Sequence, residues 1–363
     1  MAHQDKLIEA ARRDFVCVRL GQMNHVDLAR FEFDYDTTWT SFFLDADLNI
    51  YSRYGGRDER IADARMSRES LLQTMSEVLQ AHGRIRNARP VDLPGLLRVE
   101  THPVTDKSTT PEEIPLLKDN HQGCVHCHQV QEYRLLQAYQ DGQFTRRMLF
   151  GYPLPERLGL QLRRSSGHQI ERLAPDSAAL AAGLKPDDII RRVNGIPIRS
   201  EYDIRWALHR AAGDQPISVV VDRKLGELNS SVELSLIPRG PWRQSELGWR
   251  KSLRSVPMQL GFLGYSLGRD AVLQLGFPEG KSLVKVISLR PPGLARNLQL
   301  QKGDLITAVG GQTGFQTFEQ FKSKLLELYQ PGDLVEVEIL REGKSLKLQG
   351  LFPEWFTEET AVP

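Results

Sequence analysis

Residues 121–130 read His-Gln-Gly-Cys-Val-His-Cys-His-Gln-Val and hold two of the chain's three cysteines and three of its nine histidines. Cys124 and Cys127 are spaced as Cys-x-x-Cys, and His128 follows at once. That is the spacing of a c-type haem attachment site, in which two thiols bond the porphyrin edge and the next imidazole ligates the iron. Haem c would thus be bound by Cys124, Cys127 and His128, with Met148, His102 and His168 as candidates for the sixth position. The same side chains also fit a tetrahedral zinc site, built from Cys124, Cys127 and two of His121, His126 and His128. A third chemistry is a thiol–disulfide oxidoreductase using the two cysteines as a dithiol. The spacing leaves all three open.

The elements around this cluster set what it can do. Directly after it, "QVQEYRLLQAYQ" predicts a helix that would hold the geometry. The wider stretch, residues 91–157, is rich in prolines (Pro94, Pro103, Pro111, Pro115, Pro153, Pro155), which break helices and central strands. It reads as a linker or inserted segment with the Cys-x-x-Cys-His motif at its centre. Cys17 lies apart, in "DFVCVRL", a continuous apolar run that suits a buried strand, and is expected to be a small buried side chain.

The whole chain has 363 residues, enough for several domains, and balances 47 Lys+Arg against 46 Asp+Glu. Charge therefore gives no reason to expect nucleic acid as a partner. No apolar run reaches the roughly 18 residues a membrane span needs. The first residues lack the apolar core of a secretion signal, which would place the chain in the cytoplasm. Haem attachment would instead place it in the periplasm or elsewhere outside the cytoplasm.

Residues 1–90 predict two strands joined by the Asp/Asn-rich turn "DADLN", then a helix capped by Ser67 with Leu71, Leu72, Met75, Val78 and Leu79 on one face. This order, with "FFLDADLNIYSRYGG", resembles the later half of a thioredoxin fold. The redox Cys-x-x-Cys at a helix start and the cis-proline of that fold have no counterpart here, so thioredoxin chemistry is not expected from this segment. A segment missing upstream would account both for the half fold and for the absent signal.

From Leu158 the pattern sharpens. "DSAALAAGLKPDDIIRRVNG" and the flanking strands of residues 158–238 resemble a PDZ domain of the kind attached to bacterial envelope serine proteases. Residues 258–353 repeat the order, with "LQKGDLITAVGG" in the corresponding place and a helix at Phe318–Tyr329. The linker 239–257 is rich in Trp and Arg, its indoles expected to pack on a neighbouring domain. The resemblance implies binding of peptide or protein C-termini by the first copy, through the loop Leu158, Gly159, Leu160 and Gln161 and pocket walls Ile204 and Leu208. In the second copy the loop is expected at Leu275, Gly276 and Phe277, where Pro278 would hinder an added strand. Neither copy is expected to carry a Ser–His–Asp site, so the pair reads as tethering rather than enzymatic.

The whole arrangement resembles a bacterial family of thioredoxin-like, tandem-PDZ proteins, some of them selenocysteine-containing. The expected fold is multidomain α+β: a partial thioredoxin-like α/β domain, a Pro-rich Cys-x-x-Cys-His segment and two PDZ-like domains. The expected function is peptide recognition joined to electron transfer or sensing, with an electron-transfer partner implied by the haem. The alternatives are a PDZ-guided oxidoreductase and a scaffold with structural zinc.

Overall fold

The structure is a computed structural model that describes residues 5–59, 61–88, 109–120, 123–213, 215–225, 228–253, 258–279, 281, 283–290, 292–315 and 317–354. The chain forms two compact units, residues 1–131 with 150–245, and residues 132–149 with 246–363.

In the first unit, Asp5 caps the short helix α1 (Lys6–Ala11). Strands β1 (Thr40–Leu44) and β2 (Ile50–Gly55) then pair antiparallel, Thr40 opposite Gly55. The Asp45 carboxylate closes their turn by accepting the N–H groups of Asp47 and Asn49, the local bonding that makes Asp a turn former. Helix α2 (Arg68–Arg86) starts at Ser67, which caps it reciprocally with Ser70, and runs on through Gly83. Its buried face, Leu71, Met75 and Val78, meets Phe43, Tyr51 and Tyr54 of the hairpin.

The segment "DFVCVRL" is not the buried strand expected. Residues 16–20 form no strand; Val16 is 95% and Val18 80% exposed, and Cys17 is exposed too. A strand needs a partner to bond its backbone, and β1 and β2 pair only with each other among the described residues. Apolar composition was a poor guide because burial is set by neighbours that this segment does not have among those residues.

Helix α3 (Pro115–Asn120) follows, then α4 (Cys127–Gln140), whose residues from Glu132 on belong to the second unit. The remainder of the first unit is β3 (Leu160–Leu162), β4 (Ile170–Leu173), α5 (Ala178–Ala181), β5 (Ile189–Val193), β6 (Ile196–Pro197), α6 (Glu201–Arg210), β7 (Ile217–Leu225) and β8 (Leu228–Leu236). β3 pairs with β4, and the other four strands form a sheet in the order β6-β5-β7-β8. Ser177 and Ser200 cap α5 and α6 from their N-termini. One core joins both sheets and both helices, including Ile170, Ile190, Val219, Val221, Leu236 and the linker residue Trp242.

In the second unit, β9 (Phe262–Ser266), α7 (Arg269–Gln274), β10 (Val284–Leu289), α8 (Leu294–Asn297), β11 (Leu305–Val309), α9 (Phe318–Leu328), β12 (Leu334–Arg341) and β13 (Lys344–Leu351) build a five-stranded antiparallel sheet with its helices. The sheet order is β13-β12-β11-β10-β9, with β9 at one edge. Thr317 and Gln320 cap α9 reciprocally. Strand, strand, short helix, strand, helix and final hairpin thus recur in the two units in the same order, apart from β6 in the first and α7 in the second.

Candidate peptide grooves and thiol loop

The loop entering β3 is shaped by one glycine. Gly159 has φ +89°, and a Cβ there would run into the side chain of Ser177, the α5 cap, so only glycine suits both the backbone and the space. Its carbonyl accepts the Ala174 N–H at 2.9 Å, and β3 continues with Leu160 opposite Leu173. Leu158, Leu160, Ile204 and Leu208 all belong to the buried core, none more than 3% exposed, while Gln161 is half-buried. The structure therefore brings the expected loop and helix residues together, with the four apolar ones packed in one core.

Helix α6 is buried on nearly every side. Ile204, Ala207 and Leu208 face the core. The face of Arg199, Asp203 and Trp206 is bonded to the β1–β2 hairpin. The Asp203 carboxylate accepts from Arg53 N–H (2.8 Å), Ser52 Oγ (2.7 Å) and Arg199 N–H (3.0 Å). Ser200 Oγ donates to the Arg53 carbonyl. The Arg53 guanidinium lies 4.1 Å from the Trp206 ring centroid, a cation–π contact. Burial pushes the Asp203 carboxyl up, against the donors that hold it charged.

A third face presents Glu201 and Arg205, one turn apart. Arg205 pairs with buried Asp34 at 3.0 Å, and Tyr202 beside it accepts the Asp34 N–H at 2.7 Å. Arg65 binds Glu201 (3.1 Å), Glu156 (2.5 Å) and buried Asp58 (3.0 Å). Burial, together with the neighbouring Glu156 charge, pushes the Glu201 carboxyl up to about 6 in spite of Arg65 and Arg205. Glu201 and Arg205 are functional candidates that periodicity does not single out; their spacing of four, next to the apolar pair Ile204 and Leu208, is the signal they leave in the sequence.

In the second unit the strand-entry loop is at Leu260–Gly261, not at Leu275–Phe277 as expected. Gly261 has φ +68° and leads directly into the edge strand β9, whereas Leu275 to Phe277 follow the end of α7. Leu-Gly-Phe at 260–262 repeats the Leu-Gly-Leu of 158–160, a signal masked by the second Leu-Gly-Phe at 275–277. Helix α9 stands beside β9. Phe318 is 5.8 Å from Phe262, centroid to centroid, and sits against Gly264, where a Cβ would come within 3.3 Å of its ring. Leu263 and Tyr265 of β9 are 39% and 46% exposed. Lys322, one turn beyond Phe318, has its amine pushed down by burial.

Gly264-Tyr265-Ser266-Leu267-Gly268 spells the Gly-x-Ser-x-Gly of a nucleophile elbow. Ser266, however, is paired in β9 opposite Val284 and is not among the residues with positive φ. All nine histidines precede Pro216, none within the second unit. The serine therefore has no imidazole base in its unit, and the motif makes no Ser–His–Asp site there.

The thiol loop is tied to the N-terminal segment. Asn24 donates from Nδ2 to the Gly123 carbonyl (3.1 Å) and accepts the Val125 N–H at Oδ1 (2.8 Å), while Met23 N–H donates to the Val125 carbonyl (2.8 Å). Val125 is buried beneath. His126 N–H donates to Gln129 Oε1 at 2.8 Å, half of a capping box, and α4 then starts at Cys127. Cys124 is exposed and Cys127 half-buried, its thiol pushed up by burial. The His126 and His128 rings are parallel, 6.1 Å apart. Among the described residues no three Cys, His, Asp or Glu side chains are grouped to hold a metal ion; His121 and His102 lie outside those residues. His168 is fully buried, with Nδ1 3.0 Å from the Ser166 carbonyl and Nε2 3.2 Å from Glu77. Met148, in the second unit, is 36% exposed.

Residues 169–223 match the PDZ domain family, so the first unit carries a PDZ domain, spanning β4 to β7. Over 190 residues the chain is 27% identical to a protein of Marinomonas sp. (strain MWYL1) described as "Probable periplasmic serine endoprotease DegP-like", covering 52% of this chain and 38% of that protein. Among solved structures it is similar to the HtrA-type protease AlgW with a decapeptide (17% identity, 37% of this chain and 40% of that one, TM-score 0.22). It is also similar to a serine endoprotease from Yersinia pestis (14% identity, 38% and 56%, TM-score 0.20). No described helix is long and apolar enough to cross a membrane.

Proposed function

We propose that this chain is a non-catalytic recognition protein that takes extended peptides with a free C-terminal carboxylate into its PDZ grooves, outside the cytoplasm. The observation that carries the reading is the PDZ match over residues 169–223 together with the Gly159 loop that precedes it, which leads into a strand paired on one edge only. Such an edge accepts an added strand, and backbone N–H groups of the glycine loop receive the carboxylate. The second unit is read as a second PDZ-like domain, its groove lying between β9 and α9. The N-terminal hairpin and α2 are read as part of a thioredoxin-like domain that serves as a structural platform. The periplasmic description of the Marinomonas relative supports the location.

The test is fluorescence anisotropy of the full chain with a degenerate pool of labelled decapeptides. Peptides ending in a carboxylate should bind, and the same pool amidated should not. Equal binding of both, or of neither, would overturn the reading.

A second reading concerns the thiol loop. Cys124 is exposed and Cys127 half-buried, on a loop fixed by Asn24, and His128 stands in the first turn of α4. These residues fit covalent haem, with the thiols as attachment points and His128 as axial ligand; haem would supply electron transfer or sensing. After export with cytochrome c maturation, an alkaline pyridine spectrum should show a haemochrome band that Cys124→Ala/Cys127→Ala abolishes. No band would exclude haem and return the thiols to dithiol or zinc chemistry.

A further inference from the structure

The peptide groove of the matched PDZ domain is bordered by β3 with its flanking residues on one side and α6 on the other, and both borders are bonded to one short stretch of the chain's own N-terminal part. On the β3 side, Arg164 donates to the carbonyls of Asp63 (3.3 Å) and Met66 (2.9 Å), and Ser67 Oγ donates to the Arg164 carbonyl (3.0 Å). Glu156, just before the glycine loop, holds Arg65. On the α6 side the same Arg65 reaches Glu201, and Arg205 donates to the Arg57 carbonyl (3.4 Å). Gly56 is so close to Arg205 that a Cβ would lie 2.7 Å from its Nη1, and 3.4 Å from the Tyr202 ring. Arg65 is only 8% exposed in its side chain, and Asp58, which it also binds, is fully buried.

We infer that Gly56–Asp58 and Asp63–Ser67 act as an internal plug, closing the groove of this PDZ domain until a peptide displaces it. This rests on the peptide-binding reading and adds its regulation. The plug does not imitate a ligand strand. Asp63 to Met66 form a turn, and the plug meets α6 through the Arg65–Glu201 ion pair and the Arg205 bond to the Arg57 carbonyl rather than through a β-ladder. Arg65 is the central piece because it touches the loop side, the helix side and the plug's own Asp58 at once. A peptide would therefore have to break a buried charge cluster before adding to β3. A plug closed nine-tenths of the time weakens apparent affinity about tenfold.

Hydrogen exchange of the full chain tests this, with and without the carboxylate-terminated decapeptide pool, in the parent and in Arg65→Ala. Removing one partner of a buried cluster can unfold a domain. The double variant Arg65→Gln/Glu201→Gln, which strands less charge, is therefore measured alongside, and each melting curve confirms the fold. The expected result is peptide-induced protection of β3 and α6 that is weak in the parent and about tenfold stronger in the folded variants, with residues 56–58 and 63–67 exchanging faster. Equal protection in parent and variants would overturn the plug and leave peptide binding standing. No protection of β3 and α6 in any folded variant would remove this groove from the peptide reading, and the plug with it.

Discussion

Glu201 is the residue at which burial and charge oppose each other most directly. Its carboxyl, pushed up to about 6 by burial, ordinarily titrates near 4.5. In that window the folded chain holds a proton that the unfolded chain has lost, so this group favours folding more as pH falls from about 6 toward 4.5 and costs stability above 6. Parent minus Glu201→Gln in urea unfolding should show that slope, with a total of up to about 2 kcal/mol; a flat difference across the same pH window would contradict it. Gly159 offers a separate prediction. Gly159→Ala adds a Cβ at positive φ and against Ser177, costing about 1–2 kcal/mol in chemical denaturation. It should also abolish the carboxylate-dependent protection of β3 and α6, leaving that of β9 and α9.

At the level of elements, caps and pins decide what forms. Ser200 both caps α6 and donates to the Arg53 carbonyl. Ser200→Ala should therefore cost more than the roughly 1 kcal/mol of an ordinary cap, while Thr317→Ala at α9 should cost about that amount, both read from thermal unfolding. Asn24 pins the thiol loop from two sides; Asn24→Ala should speed the reaction of Cys124 and Cys127 with a disulfide reagent without changing the melting point by more than a few degrees. Much of this was legible beforehand. The hairpin at "DADLN", the Ser67 cap and the helices after Ser200 and Thr317 follow from local bonding that is written in consecutive residues. "DFVCVRL" misled because its apolar run implies a sheet partner, and partners come from tertiary structure. Leu-Gly-Phe at 275–277 misled because a strand-entry loop is defined by the edge strand behind it, and the tripeptide occurs twice. Glu201, Arg205 and Arg65 were hard to find for the same reason: each is an ordinary surface charge until residues 56–58 and 63–67 are folded against α6.

At the scale of the molecule, two copies of one strand-and-helix order end in different surfaces. In the first unit the groove's borders are joined by ion pairs to the chain's own N-terminal part; in the second, an edge strand keeps Leu263 and Tyr265 exposed beside Phe318. The chain spans 38% of the length of its Marinomonas relative, and peptide recognition is the function proposed for the part it has. The most direct measurement is photo-crosslinking of the full chain by a benzophenone-bearing decapeptide with a free C-terminus, mapped by mass spectrometry. Crosslinks at β9 and α9 and weak ones at β3 and α6 are expected in the parent, about tenfold stronger ones at β3 and α6 in Arg65→Ala, and loss of all of them with the amidated peptide. Crosslinks scattered elsewhere, or unchanged by amidation, would contradict it.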